Sequence, residues 1–265
     1  MKRIFFCDID GTLLDGSRGM PDLSQETKYA IEELKKDNYV FLSSGRCKGL
    51  LNKQIRELKV DGYVLCNGAY VEFDNTEIFS CCFDESAIRK IRETVSSYDG
   101  FTIFETLNEM YVDSQDNEAY RKFVASWGTA LEGFTEDKVM KGKYYIAMIG
   151  FEDLNLCDRI EAELNPYVDL ARHHNGFPSY DVNIKGISKG MGVRKVIEYL
   201  KIPVEQCYAF GDGINDLEML QETGHPVIMK NSDETLRKYG FEETDDVLEN
   251  GFYRYLVRNK LIKEV

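Results

Sequence analysis

Four uninterrupted apolar residues, Ile4-Phe5-Phe6-Cys7, run straight into Asp8-Ile9-Asp10-Gly11-Thr12-Leu13-Leu14. Such a run fits a strand covered on both faces, as in a parallel sheet, and Gly11 lets the chain turn sharply over the strand's carboxyl end. Open α/β sheets bind ligands at that end. Two carboxylates two residues apart there are costly unless a cation joins them, and a hard, oxygen-seeking ion such as Mg²⁺ suits them. Taken alone, the same residues read equally as turn chemistry, with Asp accepting backbone amides and Gly supplying positive φ. The later acidic positions and the closing Glu of a calcium loop are missing, which removes the calcium reading.

A second acidic cluster, Gly211-Asp212-Gly213-Ile214-Asn215-Asp216, follows the apolar run Cys207-Tyr208-Ala209-Phe210. If the two strands lie side by side in one parallel sheet, Asp8, Asp10, Asp212 and Asp216 converge at one edge, where four carboxylates need a metal. Tyr39-Val40-Phe41-Leu42 reads as another strand and ends in Ser43-Ser44-Gly45-Arg46, a hydroxyl and a glycine amide that an anion can approach. Ser and Gly also populate ordinary turns. Gly186-Ile187-Ser188-Lys189-Gly190 precedes the amphipathic stretch Val193 to Leu200, so Ser188 is expected as the helix cap and Lys189 in the first turn. A cation is disfavoured at that end. Read alone, Lys189 is a solvated surface residue; beside carboxylates and a phosphate it is a neutralising one.

Together these segments resemble the haloacid dehalogenase superfamily, and within it the Cof-type, sugar-phosphatase-like branch with a large C2B-type cap between the second and third motifs. Asp8-Ile9-Asp10-Gly11-Thr12-Leu13 resembles the first motif, Ser44-Gly45-Arg46 the second, Lys189-Gly190 the third and Gly211 to Met219 the fourth. The resemblance extends to Cys66-Asn67-Gly68-Ala69 and to Val227 to Ser232, departing at Ile228 and Lys230-Asn231-Ser232, where relatives carry smaller residues and Asn-Ala. It implies an α/β fold, a Rossmann-like parallel-sheet core (1–83 and 186–265) with an inserted α+β cap (84–185) that selects the substrate. It also implies a Mg²⁺-dependent phosphatase of small phosphorylated metabolites, such as sugar phosphates or phosphorylated cofactors, working through an aspartyl-phosphate. Asp8 would be the nucleophile and Asp10 the acid and base. Mg²⁺ would be held by Asp8, the Asp10 backbone carbonyl and Asp212, with Asp216 behind them or an occasional ligand. Ser44, Lys189, Asn215 and the amides of Ile9 and Gly45 would receive the phosphate oxygens, and Arg46 is read as an ion-pair partner. Two alternatives stand beside this. A phosphomutase needs an anion clamp in the cap, where Arg159, Arg172, Lys141 and Lys143 are scattered. A non-catalytic phosphometabolite-binding protein is opposed by the intact Asp8, Asp10, Lys189 and Asp212.

The remaining pattern follows the motifs. The core is expected to begin with strand 3–8, helix 24–38, strand 39–43, helix 48–58 and strand 62–66, with a small hairpin over 71–79 at its edge. The cap is read as helix 84–97, strands 101–104 and 109–113, helix 116–126, strand 143–149, helix 152–164 and strands 167–172 and 178–184. The core resumes with helix 188–200, strand 206–210, helix 214–222, strand 226–229 and a final pair of helices. Inside the cap, His173-His174-Asn175-Gly176 and Tyr180-Asp181-Val182-Asn183 stand out. Adjacent His residues with no ligand spacing are poor metal ligands. A solvated turn is one reading; the other gives His174 and Tyr180 contact with the leaving group.

Net charge −13 disfavours binding of nucleic acid or anionic membrane through a general basic surface. Seven cysteines without metal spacing, including the adjacent Cys81-Cys82, read as reduced thiols of a cytoplasmic protein. No apolar run approaches membrane-spanning length, and the chain is expected as a monomer or small homo-oligomer.

Overall fold

The computed structural model describes residues 2–113, 116–127, 135–136, 142–173 and 177–264. The chain divides into two compact units: residues 1–46, 51–80 and 188–265 form the first, and 47–50 with 81–187 the second.

The first unit opens with β1 (Ile4–Asp8), α1 (Gln25–Asp37), β2 (Tyr39–Ser43), α2 (Lys53–Glu57), β3 (Gly62–Leu65), β4 (Tyr70–Phe73) and β5 (Thr76–Ser80). In the second unit come α3 (Glu85–Ser97), β6 (Phe101–Glu105), β7 (Met110–Val112), α4 (Glu118–Trp127), β8 (Thr135–Glu136), β9 (Ile146–Gly150), α5 (Cys157–Leu164), β10 (Val168–Arg172) and β11 (Ser179–Ile184). The chain returns to the first unit with α6 (Lys189–Leu200), β12 (Cys207–Gly211), α7 (Leu217–Gln221), β13 (His225–Ile228), α8 (Glu234–Arg237), β14 (Glu242–Glu243) and α9 (Gly251–Arg258).

The first unit's sheet has the order β14-β13-β12-β1-β2-β3-β4-β5 and is parallel except for the hairpin of β4 and β5. Its central strand β1 is buried along its whole length, the consequence of an apolar run with helices on both faces. Phe6 tilts against Phe41 with ring centroids 5.5 Å apart, in a cluster with Val64, Val193, Val196 and Met219. On the other face, Phe210 meets Phe252 and Tyr255 of α9 edge-on. The strand order matters most for function because β1 pairs in parallel with β12, Cys7 opposite Phe210. The Asp8 and Asp212 turns therefore leave the sheet side by side.

In the second unit the described strands form a sheet of order β10-β11-β9-β6-β7-β8. One face packs against α3 and α5 through Ile91, Phe104, Tyr144, Ile149, Ile160 and Tyr180. Phe101, Ile103 and Met148 on the other face pack with Tyr120 and Phe123 of α4.

Two expected helices are broken. The span 48–58 is a 3₁₀ turn, Lys48–Leu50, followed by α2, which Asn52 caps through the Ile55 amide. The break falls where the Gly49 amide donates to Leu107 O; a Cβ on Gly49 would lie 2.1 Å from Asn108 O. The span 214–222 likewise starts as a 3₁₀ turn, Ile214–Asp216, because Asp216 turns back to accept two backbone amides. Strand β14, two residues long, is too short to show any alternation.

Candidate active site

Asp8 closes β1 and the chain turns at once. Gly11 has φ +87°, and its amide donates to Leu14 O at 2.7 Å while the Leu13 and Leu14 amides return to Ile9 O. A Cβ at Gly11 would sit 2.1 Å from Asp212 Oδ2, so glycine is required both for its backbone conformation and for the approach of the second acidic turn. Thr12 Oγ1 donates to Asp212 Oδ1 at 3.3 Å, tying the turns together.

Carboxylate oxygens of Asp8, Asp212 and Asp216 lie within 4.8 Å of one another. Lys189 is 1% exposed, and its Nζ donates to Asp8 Oδ1 and Asp216 Oδ1, both at 2.6 Å. The first turn of α6 places it there: Ser188 accepts from the Met191 amide as N-cap, and Gly68, with φ +93°, packs against Ser188 so closely that a Cβ would be 2.0 Å from its carbonyl oxygen. The other oxygen of Asp216 accepts the amides of Asp212 and Gly213 at 3.0 Å.

Three carboxylates against one ammonium leave two negative charges uncompensated. The titration behaviour carries that imbalance. Burial, and next the charge of Asp216, push the Asp8 carboxyl well above the usual carboxylate range. Burial and then Asp216 likewise push Asp212 up to about 7. Burial alone works against the Lys189 charge, yet Asp216 and Asp8 outweigh it and hold the ammonium above its ordinary value. A cluster of hard oxygen donors that is short of positive charge by two units suits a divalent cation.

The Asp10 side chain stands apart from this cluster. Arg46 holds it from two directions, Nε to Oδ2 at 2.8 Å and a terminal nitrogen to Oδ1 at 2.5 Å. Both line a cavity of about 430 Å³ with Gly11, Asp15, Asn52 and Asp212.

A family model of haloacid dehalogenase-like hydrolases matches residues 5–256. The chain belongs to that family. YkrA of Bacillus subtilis, described as a candidate phosphatase, is 30% identical over 254 residues, covering 94% of this chain and 95% of the relative. The 5-amino-6-(5-phospho-D-ribitylamino)uracil phosphatase YcsE of the same organism is 26% identical over 94% of this chain and 92% of its own. The crystal structure of a hypothetical protein of Geobacillus kaustophilus HTA426 superposes with TM-score 0.87 and 28% identity, covering 99% of this chain and 100% of that one. The protein is thus an enzyme, a phosphatase of the haloacid dehalogenase-like kind, on the parallel-sheet fold of its relatives.

Around the hydrolase's acidic cluster, Ser44 is buried and its Oγ accepts the Arg46 amide at 3.2 Å. Gly45 faces the Asn67 side chain, 3.1 Å from where a Cβ would stand. Exposed Asn215 donates to Asn67 Oδ1 at 3.3 Å. Asn67, left-handed at φ 50°, thus joins the loop after β3 to the fourth motif. Sequence reasoning left Asn67 out of the site, although the resemblance extended to Cys66-Asn67-Gly68-Ala69 and Asn67 directly follows a strand's carboxyl end.

His174 lies outside the described residues. Tyr180 corrects the expectation attached to it. Its ring is fully buried on the helix-covered face of the second unit's sheet, and its hydroxyl donates to Glu161 of α5 at 2.9 Å. A side chain so enclosed has no surface for a leaving group. Strand alternation puts Asp181 and Asn183 on the opposite face, where Asp181 meets His173 Nε2 at 3.1 Å. Among the described residues, no helix is long and apolar enough to cross a membrane.

Proposed function

We infer that the protein is a Mg²⁺-dependent phosphatase that hydrolyses phosphate monoesters of small metabolites through an aspartyl-phosphate on Asp8. The observation that carries this is the buried Lys189 bridging Asp8 and Asp216 beside Asp212, a cluster two positive charges short of neutrality. Lys189 anchors one oxygen of Asp8, which leaves the other to attack phosphorus; the bond from phosphorus to the ester oxygen breaks, and the leaving alkoxide takes a proton from Asp10. Asp10 then removes a proton from water, the water oxygen attacks the same phosphorus, and the Asp8 carboxylate departs with release of inorganic phosphate. Asp8, Asp212 and the Asp10 backbone carbonyl would hold Mg²⁺, whose charge offsets the repulsion between the carboxylates and the phosphate. Ser44, Lys189, Asn215 and the amides of Ile9 and Gly45 receive the equatorial phosphoryl oxygens, where charge gathers in the transition state. Arg46 keeps Asp10 oriented at the rim.

Phosphorylated sugars and sugar alcohols are the substrate class we favour, since YcsE is named for a phosphorylated ribityl compound. The choice among them we assign to the inserted unit. None of the seven cysteines is in a disulfide, which agrees with a reducing, cytoplasmic setting. A panel of phosphorylated metabolites assayed for released phosphate, with Mg²⁺ and with excess chelator, tests the reading. Mg²⁺-dependent release from sugar phosphates supports it, and full activity in chelator overturns it.

A further inference from the structure

We propose that Asn231 is a positioning residue for the phosphatase reaction, a side-chain clamp that fixes the turn carrying Asp10; the proposal rests on the function inferred above. Asn231 follows β13, is half-buried, and spans two backbone groups from distant parts of the chain. Its Oδ1 accepts the Val247 amide at 2.9 Å, and its Nδ2 donates to Gly11 O at 2.8 Å. The Val247 bond fixes which way the amide faces, because only the oxygen accepts; the nitrogen is thereby aimed at Gly11.

The residues around it explain why one hydrogen bond matters here. The turn from Ile9 to Leu14 is closed on itself by the Gly11, Leu13 and Leu14 amides, so it moves as one body. Asp8 lies before that body and is pinned by sheet pairing and by Lys189. Asp10 lies within it. The same segment after β13 also grips the other acidic turn, since the Asp233 amide donates to Asp212 O at 2.9 Å. Further along, Asp246 takes both guanidinium nitrogens of Arg18 at 3.0 Å, but that pair is exposed and solvent-screened, so it contributes little. Asn231 is therefore a second link between the turns beside the longer Thr12–Asp212 hydrogen bond, and it ties the Asp10 turn to the segment that also holds the Asp212 turn.

Displacing an acid by a fraction of an ångström costs most when the leaving group depends on its proton. Asn231→Ala loses both bonds. Asn231→Asp keeps the acceptor for Val247 and loses the donor to Gly11. Ser232→Ala is the neighbouring control: its buried hydroxyl has no hydrogen-bond partner among the described residues. We expect both Asn231 variants to lower kcat for an alkyl phosphate by roughly 10- to 100-fold, with a smaller loss for p-nitrophenyl phosphate and KM within about threefold of the parent. Ser232→Ala keeps the parent kcat for both esters. In parallel, hydrogen exchange of the peptide covering residues 9–15 should quicken in both Asn231 variants and not in Ser232→Ala. Parent-like kcat in Asn231→Asp, or an equal loss for the two esters, overturns the proposal. If the parent itself cleaves neither ester with Mg²⁺, the phosphatase reading of the site falls; exchange then still judges the clamp, and unchanged exchange in the 9–15 peptide overturns it.

Discussion

A lysine shut away from solvent between two carboxylates is the residue on which the site's electrostatics turn. Removing the single cation of a buried cluster leaves its carboxylates unpaired, at a cost of roughly 3–5 kcal/mol. Lys189→Met should therefore lower stability by about that amount in urea unfolding and abolish turnover; a variant that unfolds at the parent's urea midpoint would contradict the network. The sequence placed Lys189 in a helix's first turn, where local rules make it a surface residue or a misfit. Its burial is not a local property. It arises because α6 begins beside the carboxyl ends of β1 and β12, which are separated by about two hundred residues of chain, and only the four motifs taken together pointed there. Gly11 was legible as a turn glycine, but the nearness of Asp212, which excludes any Cβ, was not.

The strands and helices were easier to read than their faces. Apolar runs marked β1, β2 and β12, and their parallel pairing meets the condition on which the sequence brought the two acidic turns together. In β11, period-2 alternation separates Tyr180 from Asp181 and Asn183, yet nothing local says which set the helices cover. Side-chain capture by Asp216 and the close approach at Gly49 interrupted two helices that periodicity ran together. Strand β6 carries a consequence for stability. Glu105 ends that strand 6% exposed, with Cys47 as hydrogen-bond partner, and burial followed by the charge of Asp181 pushes it from 4.5 up to about 8. Between those values the folded chain keeps a proton that the unfolded chain has released. Stability contributed by the neutral acid is thus full below pH 4.5 and is lost as pH rises through about 8. Glu105→Gln should flatten this decline, whose slope is at most about 1.4 kcal/mol per pH unit, in urea titrations between pH 5 and 8. A parent whose stability rises across that window would contradict the burial of a protonated Glu105.

At the scale of the whole molecule, we propose that the work divides as the chain divides. All the residues assigned to phosphoryl transfer belong to the first unit, and every phosphate monoester offers them the same group. Discrimination among substrates must then come from elsewhere, so exchanging residues 84–185 for the corresponding part of a relative should reorder a substrate panel while preserving hydrolysis of p-nitrophenyl phosphate. A folded chimera with the original ranking would place selectivity in the first unit. The account depends above all on Asp8 as the group that takes the phosphoryl. Asp8→Asn keeps the size of the side chain and its place at the end of β1 but removes the attacking oxygen's charge. The measurement is p-nitrophenyl phosphate hydrolysis by this variant at saturating Mg²⁺, beside the parent and with melting temperature recorded for both. A rate reduced by about a thousandfold or more, in a variant at least as stable as the parent without metal, is expected. Turnover within about tenfold of the parent would contradict a covalent aspartyl-phosphate.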